Sequence, residues 1–232
     1  MSDEILRFDL KDRVAVLHFD DGKANAVSPA ALEALNAGLD RAEKEAGAAV
    51  LLGRPGRFSA GFDLSVMRAG PEAARSLVGG GAELLARMAG SPLPIVAACT
   101  GHALAMGALL LLASDLRLGT RGDFKIGLNE VAIGMTLPRF GCELAEERLS
   151  RRHRLRSVVM AELYAPETAV DAGYLDRVVD ADDLQDAALS EAARLAELPA
   201  AAYAGTKQRM RRAMVDRIRE GLEADLASFR VG

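Results

Sequence analysis

Phe58-Ser-Ala-Gly-Phe-Asp-Leu64 and Gly101-His-Ala-Leu-Ala-Met-Gly-Ala-Leu109 are the two stretches that decide the fold of this 232-residue chain. Each is typical of a strand that runs into a tight turn and opens a helix. The first N–H groups of a helix lack partners inside the helix and carry the positive end of its dipole. Two such turns facing each other would hold an oxygen atom that becomes negative during a reaction. We expect the backbone N–H groups of Phe62 and Met106 to be the donors.

The length suits one large α/β domain, or one domain with a helical appendage, and the composition predicts a compact chain with an aliphatic interior. Half of the residues are hydrophobic and only 4% are aromatic, which argues against a disordered or fibrous chain. The net charge of −4 lacks the basic surplus of a nucleic-acid-binding protein. Two cysteines do not make a disulfide framework, and Cys99 is expected to be a buried, reduced thiol. The three isolated histidines lack the spacing of a zinc site.

No segment of the sequence indicates export or membrane insertion. The first five residues, Met-Ser-Asp-Glu-Ile, are acidic and lack the apolar part of a secretory signal. The longest apolar stretch, residues 103–113, is shorter than the ~20 residues that span a bilayer. We therefore expect no membrane partner and a cytoplasmic location.

Strand and helix patterns alternate along the chain, which is typical of an α/β domain with partly parallel sheets. Alternating apolar residues predict a strand over residues 13–19, with residues 5–8 as its partner. Ser28 followed by proline predicts a helix that runs to about Lys44, and Ala48–Leu52 indicates a buried strand. The further predicted elements are helical residues 71–89 interrupted at Gly79-Gly-Gly81, a strand–turn–helix unit over 94–113, strands at 115–118, 124–126 and 175–179, and an amphipathic helix from Leu198.

Two further motifs, Lys23-Ala-Asn-Ala-Val27 and Ile126-Gly-Leu-Asn-Glu130, accompany residues 58–64 and 95–109 in order and spacing. The four segments together resemble the crotonase superfamily, the enoyl-CoA hydratases and isomerases. The resemblance implies an α/β fold, a crotonase-like spiral of repeated ββα units with a C-terminal helical subdomain. It also implies an acyl-CoA thioester as the substrate.

The resemblance divides the chain into two regions. Residues 1–197 would form the crotonase-like core that binds acyl-CoA and carries the catalytic residues. Residues 198–232 would form a shortened C-terminal helical region that packs within a homotrimer or a dimer of trimers. Many family members continue for another helix beyond the position of Gly232, and that segment often covers the acyl pocket or the adenine.

Glu130 is the predicted catalytic base. It follows Asn129, and its neighbours from Ile126 to Met135 are mostly apolar. Loss of hydration raises the pKa of a carboxyl group and makes its anion a better base toward a carbon acid. The resemblance implies that this glutamate moves a proton next to the thioester carbonyl. The alternative is an exposed glutamate paired with a surface cation.

Leu109 stands where the hydratases of this family carry a second glutamate that helps to activate water. Leucine can neither orient nor deprotonate water. Together with Glu130 and its preceding residues, Leu109 resembles the mitochondrial type of Δ3-Δ2-enoyl-CoA isomerase, which uses one glutamate. The alternative is that Leu109 is only a core residue and that water is activated elsewhere or not at all.

Met106 departs from the run of glycines that the family usually has at this position. A backbone N–H donor needs no particular side chain, provided that φ is negative there. The donor can therefore persist if the methionine side chain points away from the thioester or lines the acyl pocket. Gly107 and Leu109, just after it, are expected to border the bound ester.

The coenzyme A portion of the substrate is assigned by the resemblance to the first turn and the N-terminal loop. The Ala60 carbonyl would bind the adenine amino group, with Leu64 nearby. Lys23 and Ala24 match the segment that runs along pantetheine and adenine, and Lys23 could serve the phosphates or simply be a solvated loop residue. Asp63 could border the ester or cap the helix that begins at Leu64.

Three other features carry less weight. Gly79-Gly-Gly81 is not a phosphate loop, because no Gly-Lys-Ser/Thr follows it, and it is expected to thin or kink a helix and leave room for the substrate. The basic residues of the last helix favour a solvated face, with contact to a neighbour's coenzyme A as the alternative. They are Lys207, Arg209, Arg211 and Arg212. His102 is assigned no role.

The residues therefore favour isomerisation of a 3-enoyl-CoA to a 2-enoyl-CoA through an enolate, with Glu130 as the single base. No metal and no redox cofactor are expected, since coenzyme A arrives as part of the substrate. Hydration of a 2-enoyl-CoA and acyl-CoA binding without turnover are the alternatives. A dinucleotide-dependent dehydrogenase is disfavoured, because no Gly-x-Gly-x-x-Gly follows a predicted strand.

Overall fold

Strands and helices alternate through residues 5–228, which are the residues that the computed structural model describes. The predictions for the first four residues and the last four lie outside this range. The strands are β1 (Leu6–Lys11), β2 (Val14–Phe19), β3 (Ala26–Val27), β4 (Ala48–Leu52), β5 (Gly56–Ser59), β6 (Gly61–Phe62), β7 (Ile95–Cys99), β8 (Gly101–Leu104), β9 (Leu116–Thr120), β10 (Ile126–Gly127) and β11 (Arg177–Val179). The α-helices are α1 (Pro29–Glu45), α2 (Leu64–Arg68), α3 (Pro71–Gly90), α4 (Met106–Ala113), α5 (Arg139–Arg148), α6 (Arg154–Val158), α7 (Pro166–Ala172), α8 (Leu184–Ala196) and α9 (Ala200–Ser228).

The strands form one large sheet and two small ones. The large sheet has the order β1-β2-β4-β7-β9-β11 and is parallel except for the β1–β2 pair. The parallel sheets β10-β8-β5 and β3-β6 complete the set. Three times in succession, a strand of the large sheet leads to a strand of the three-stranded sheet and then to helix. This repeat confirms the predicted spiral of ββα units.

The large sheet is covered on both faces, which explains the continuous apolar runs of its central strands. Every residue of β4 and β7 is buried. Leu51 and Ala97 belong to the main core, which also contains residues of α1, α3 and α4. Val50 and Val96 belong to a second core that α8 closes from the other side. Cys99 is a buried free thiol, as predicted, and burial raises its pKa to about 12.

The predicted start of α1 is confirmed. Ser28 is the N-cap residue, and its hydroxyl oxygen accepts a hydrogen bond from the Ala31 N–H at 3.1 Å. Proline follows at the first helical position, where its missing N–H is not needed. The β1–β2 pairing is also confirmed, with Phe8 opposite Leu17 in an antiparallel register.

Helix α3 runs without a break through Gly79-Gly-Gly81, so the predicted interruption is wrong. Each glycine allows a neighbouring side chain to approach the helix closely. A Cβ atom on Gly79 would lie 3.1 Å from Leu226, and one on Gly80 would lie 2.9 Å from Leu32. The low helix propensity of glycine, ~1 kcal/mol per residue relative to alanine, is offset by this tertiary packing. Side chains of other elements therefore occupy the space that side chains at these glycines would need.

The last helix corrects the prediction of a fully solvated basic face. Lys207 and Arg211 are buried, whereas Arg209 and Arg212 are exposed. Lys207 Nζ lies 2.6 Å from one carboxylate oxygen of Asp115, and Arg211 Nη2 lies 3.2 Å from the other. Because a carboxylate removed from water must be paired, these two cations are drawn into the interior and attach α9 to the start of β9.

Candidate active site

The first turn links β6 to α2 and is held by two short-range contacts. Asp63 caps α2, because its carboxylate accepts hydrogen bonds from the Ser65 N–H at 2.8 Å and the Ser65 hydroxyl at 2.6 Å. The Ser65 hydrogen bond is also the main reason why the pKa of Asp63 is lowered. The capping interpretation of Asp63 is thereby confirmed. Phe62 stands immediately before this cap, opposite Val27 of β3.

The second turn owes its shape to Ala105 rather than to a glycine. Ala105 has φ of 51°, a conformation that L-residues rarely adopt, and its N–H donates to the Gly127 carbonyl at 3.0 Å. Helix α4 begins at Met106. As the first helical residue, Met106 has an N–H group with no partner inside the helix. The turn therefore presents a donor without the usual glycine run.

The two turns lie against each other, backbone to backbone. A Cβ atom on Gly61 would be 3.0 Å from Ala105 Cβ and 3.5 Å from the nitrogen of Met106. A Cβ atom on Gly107 would lie 2.8 Å from Ser59 Cβ and closer still to the Ser59 carbonyl oxygen. Only glycine permits this approach at either position. The predicted juxtaposition of the two turns is present.

Met106 directs its side chain into the protein. The residue is 1% exposed, and its Cε atom lies 3.4 Å from the position that a Cβ on Gly81 of α3 would take. Phe62, which is half-buried, places its ring against the same glycine. The methionine side chain thus points toward α3.

Glu130 lies on the third loop of this region. Strand β10 pairs with β8, and Gly127 stands opposite Leu104, so the residues after β10 lie beside the second turn. The Glu130 carbonyl accepts hydrogen bonds from the N–H groups of Ile133 at 3.1 Å and Met135 at 2.9 Å, which close a 3-10 turn over Val131–Ile133. The loop is therefore ordered by its own backbone.

The carboxyl group of Glu130 is buried and lacks a hydrogen-bond partner on one oxygen. The residue is 7% exposed, and no group of the described residues 5–228 bonds to Oε2. Burial raises the pKa of Glu130 to about 7. A carboxylate with this pKa and a free oxygen suits general-base work near neutral pH. The alternative of an exposed, ion-paired glutamate is wrong.

Two of the apolar sequence neighbours of Glu130 are exposed. Val131 and Ile133, which the sequence analysis counted among its apolar surroundings, are 46% and 53% exposed. Tyr174 is close enough for the Glu130 charge to contribute to the raised pKa of its phenol, although burial is the main cause. A residue far along the chain therefore lies near the carboxyl group.

Leu109 lies in the core. It is 1% exposed, and every residue of α4 is buried. Its N–H donates to the Ala105 carbonyl at 3.0 Å, as the first closed turn of the helix requires. Leu109 is thus a core residue. The position of the second glutamate in hydratases holds an aliphatic side chain here.

The residues predicted to bind coenzyme A form one strip beside the first turn. The Ala60 N–H donates to the Ala24 carbonyl at 3.1 Å, which joins the N-terminal loop to the turn. Lys23, Ala60 and Leu64 are exposed, and Ala24 is half-buried. The structure therefore brings these four residues together on an accessible edge.

Asn25 is a residue whose part in this site the sequence analysis missed. It is fully buried with φ of 52°, and its amide donates to the Phe19 carbonyl at 2.7 Å. The Ser59 hydroxyl donates to the Asn25 carbonyl, also at 2.7 Å. The signal was available, because asparagine tolerates the left-handed conformation and bonds to nearby backbone. Asn25 fixes the loop of Lys23 and Ala24 to β5.

Residues 5–228 offer neither a metal site nor a membrane-spanning helix. No three His, Cys, Asp or Glu side chains of this range come together as a metal site would require. None of the helices within it combines the length and apolar character that crossing a membrane requires.

The cavity of about 750 Å³ near His18, Leu52 and Thr100 includes none of the residues predicted for catalysis.

Comparisons with known proteins agree with this arrangement. The family model described as enoyl-CoA hydratase/isomerase matches residues 9–231. The human protein named enoyl-CoA delta isomerase 1, mitochondrial, is 32% identical over 221 residues, which cover 93% of this chain and 73% of the human protein.

Solved structures show the same similarity in three dimensions. An enoyl-CoA hydratase/isomerase family protein from Pseudomonas syringae has a TM-score of 0.96 at 44% identity and covers 98% of this chain and 99% of its own. A Mycobacterium tuberculosis protein, called an enoyl-CoA isomerase in one solved structure and a probable enoyl-CoA hydratase in another, has a TM-score of 0.93 at 39% identity and, in the first, covers 99% of this chain and 100% of its own. Since both the family model and these relatives extend over nearly the whole sequence, the chain is an enzyme of the enoyl-CoA hydratase/isomerase family.

Proposed function

We propose that this enzyme converts 3-enoyl-CoA esters into 2-enoyl-CoA esters, with Glu130 as its single acid–base group. The observation that carries the proposal is the pair of Glu130 and Leu109. One position holds a buried carboxyl group with pKa of about 7, and the other holds a buried aliphatic side chain. Proton transfer between two carbons needs one base, whereas activation of water in this family uses a second glutamate. The name of the human relative supports the same reaction, whereas the mycobacterial relative is called an isomerase in one solved structure and a probable hydratase in another.

The proposed reaction moves one proton and one double bond. The thioester oxygen lies between the N–H groups of Phe62 and Met106, and the Glu130 carboxylate removes a proton from C2. The electrons of that C–H bond form an enolate conjugated with the C3–C4 double bond, and the two N–H groups stabilise its negative oxygen. The protonated Glu130 returns the proton to C4, which leaves the double bond between C2 and C3. No metal and no redox cofactor take part in these steps.

Coenzyme A would lie along the strip of Lys23, Ala24, Ala60 and Leu64. The adjacency of these residues supports this placement, and Lys23 offers the phosphates a positive charge. Ser65 bonds to one carboxylate oxygen of Asp63, Oδ1, and a place for Asp63 beside the ester stays a prediction. A cytoplasmic location and assembly into a homotrimer or a dimer of trimers stay predictions.

Steady-state assays with two esters of the same chain length test the reaction. A 3-enoyl-CoA should be converted to the 2-enoyl ester, and a 2-enoyl-CoA should gain water at a rate lower by ~10²-fold or more, the scale of one missing catalytic group. Equal rates of isomerisation and hydration would favour a 2-enoyl-CoA hydratase. Tight binding of both esters with no turnover of either would favour an acyl-CoA-binding protein.

The isomerisation rate should depend on pH through Glu130. Its pKa is raised to about 7, and only the deprotonated form removes a proton. We therefore expect kcat/KM to rise tenfold per pH unit below pH ~6 and to level off above pH ~8. A flat profile between pH 5 and 9 (about two units on either side of that pKa) would contradict the role of Glu130.

A further inference from the structure

One glycine of α3 touches the side chains of both candidate donor residues. A Cβ atom on Gly81 would lie 2.6 Å from Phe62 Cε1, closer still to Phe62 Cζ, and 3.4 Å from Met106 Cε. Gly81 is buried in the middle of an unbroken helix. Its neighbours Gly79 and Gly80 contact Leu226 and Leu32 instead. Of the three consecutive glycines, Gly81 alone faces the two turns.

The Phe62 ring and the Phe62 backbone are held from opposite directions. Val27 of β3 pairs with Phe62 on one side, and Asp63, fixed as the cap of α2, follows it directly. The ring occupies the space that a side chain at Gly81 would need. Because the ring is joined to the peptide through one Cβ, the part of the clash that ring rotation does not relieve shifts the N–H group relative to that of Met106. An error of about 1 Å in such a site can lower a rate ~10²-fold.

We propose that Gly81 is a positioning residue that sets the distance between the Phe62 and Met106 N–H donors by seating both side chains on α3. The inference rests on the proposed function, because it assumes that the two N–H groups stabilise the enolate. It assigns to the glycine run a purpose other than room for the acyl chain. Position 81 lacks a Cβ because the Phe62 ring packs against the helix there, and not because the glycines form a phosphate loop or a kink.

The test compares Gly81→Ala, Phe62→Leu and the double variant in the isomerisation of a short 3-enoyl-CoA. We expect Gly81→Ala to lower kcat at least ~10-fold, while KM changes less than about threefold, because a misplaced donor acts mainly in the transition state. Leucine lacks the Cε1 and Cζ atoms that collide with the new Cβ, yet it keeps the backbone N–H. The double variant should therefore have a kcat within about threefold of Phe62→Leu alone.

Gly90→Ala is the matched control. Gly90 ends the same helix, and a Cβ there would lie 3.8 Å from Val215 Cγ2, an ordinary contact. Alanine favours a helix more than glycine does, so the midpoint temperature of thermal unfolding should be no lower in this control than in the wild type. Its kcat should equal that of the wild type.

Three results would overturn the inference. The first is a Gly81→Ala variant with unchanged kcat. The second is a fall in kcat from Phe62→Leu to the double variant that is as large as the fall from the wild type to Gly81→Ala, since the effect would then not depend on the Phe62 ring. The third is a change in KM alone, which would show that Gly81 leaves room for the bound substrate and does not position the donors. An inactive wild type that binds the ester would overturn the proposed function together with this inference, whereas an active wild type with any of the three results overturns only the inference.

Discussion

Replacing Glu130 by glutamine will lower the isomerisation rate ~10²–10⁴-fold, the range for removal of a general base. Glutamine preserves the size of the side chain but cannot accept the C2 proton. The Phe62 and Met106 N–H groups remain in place, so the affinity for the ester should stay close to that of the wild type. The measurement is kcat and KM with a 3-enoyl-CoA, together with ester binding at equilibrium. Comparable turnover by the variant would exclude Glu130 as the base.

The same substitution should stabilise the folded enzyme above neutral pH. The pKa of Glu130 is raised from 4.5 to about 7, so the folded state binds a proton more tightly than the unfolded state does. The contribution of Glu130 to stability is therefore greatest below pH ~4.5, falls as the pH rises from ~4.5 to ~7, and stays lowered above that range. At 1.36 kcal/mol per pKa unit, the buried carboxylate destabilises the fold by about 3 kcal/mol at pH 8.

Urea unfolding at pH 8 and pH 4 measures this effect. Glu130→Gln should raise the free energy of unfolding at pH 8 by about 3 kcal/mol. This gain should be largely lost at pH 4. The exposed Glu220 on α9 offers a control, Glu220→Gln, whose effect should stay within ~0.5 kcal/mol at both pH values. A glutamine variant that is less stable at pH 8 would contradict the burial of an ionised carboxyl group.

Asp115→Asn will destabilise the fold by about 3–5 kcal/mol, because it leaves two buried cations without a counter-charge. The Asp115 carboxylate lies 2.6 Å from Lys207 Nζ and 3.2 Å from Arg211 Nη2, and it accepts the Ile95 N–H at 2.8 Å. Burial also lowers the pKa of Lys207, and Asp115 acts in the opposite direction. The substitution therefore weakens the attachment of α9 to the core.

The control for Asp115 is an aspartate of α9 in an exposed ion pair. Asp216 lies 3.5 Å from Arg212, and both side chains are at least half exposed. Asp216→Asn should change the free energy of unfolding by less than ~1 kcal/mol. Urea denaturation of both variants gives the comparison. A similar small change in both would show that the Asp115 cluster contributes little.

Much of the fold could be predicted because its signals are local. The apolar run of β4 and the Ser28 cap of α1 depend on adjacent residues only, and both are present. The two turns could be recognised for the same reason. Their exact shape could not, since Ala105 adopts a left-handed conformation that its residue type does not suggest.

The features that could not be predicted depend on contacts between distant parts of the chain. The continuity of α3 follows from the packing of Leu32, Phe62 and Leu226 on its glycines. Burial of Lys207 follows from Asp115, 92 residues earlier in the sequence. Glu130 was identified by its apolar neighbours, yet two of these are exposed, and Tyr174 from a distant part of the chain lies near the carboxyl group.

Deuterium exchange at C2 of a saturated short-chain acyl-CoA in heavy water tests the central claim most directly. The assay needs no double bond, so it reports proton removal beside the thioester and enolate stabilisation alone. We predict that the wild type exchanges the C2 protons and that Glu130→Gln binds the ester equally well without exchanging them. Exchange at the same rate by both proteins, or none by a wild type that binds the ester, would contradict the enolate mechanism with Glu130 as its base.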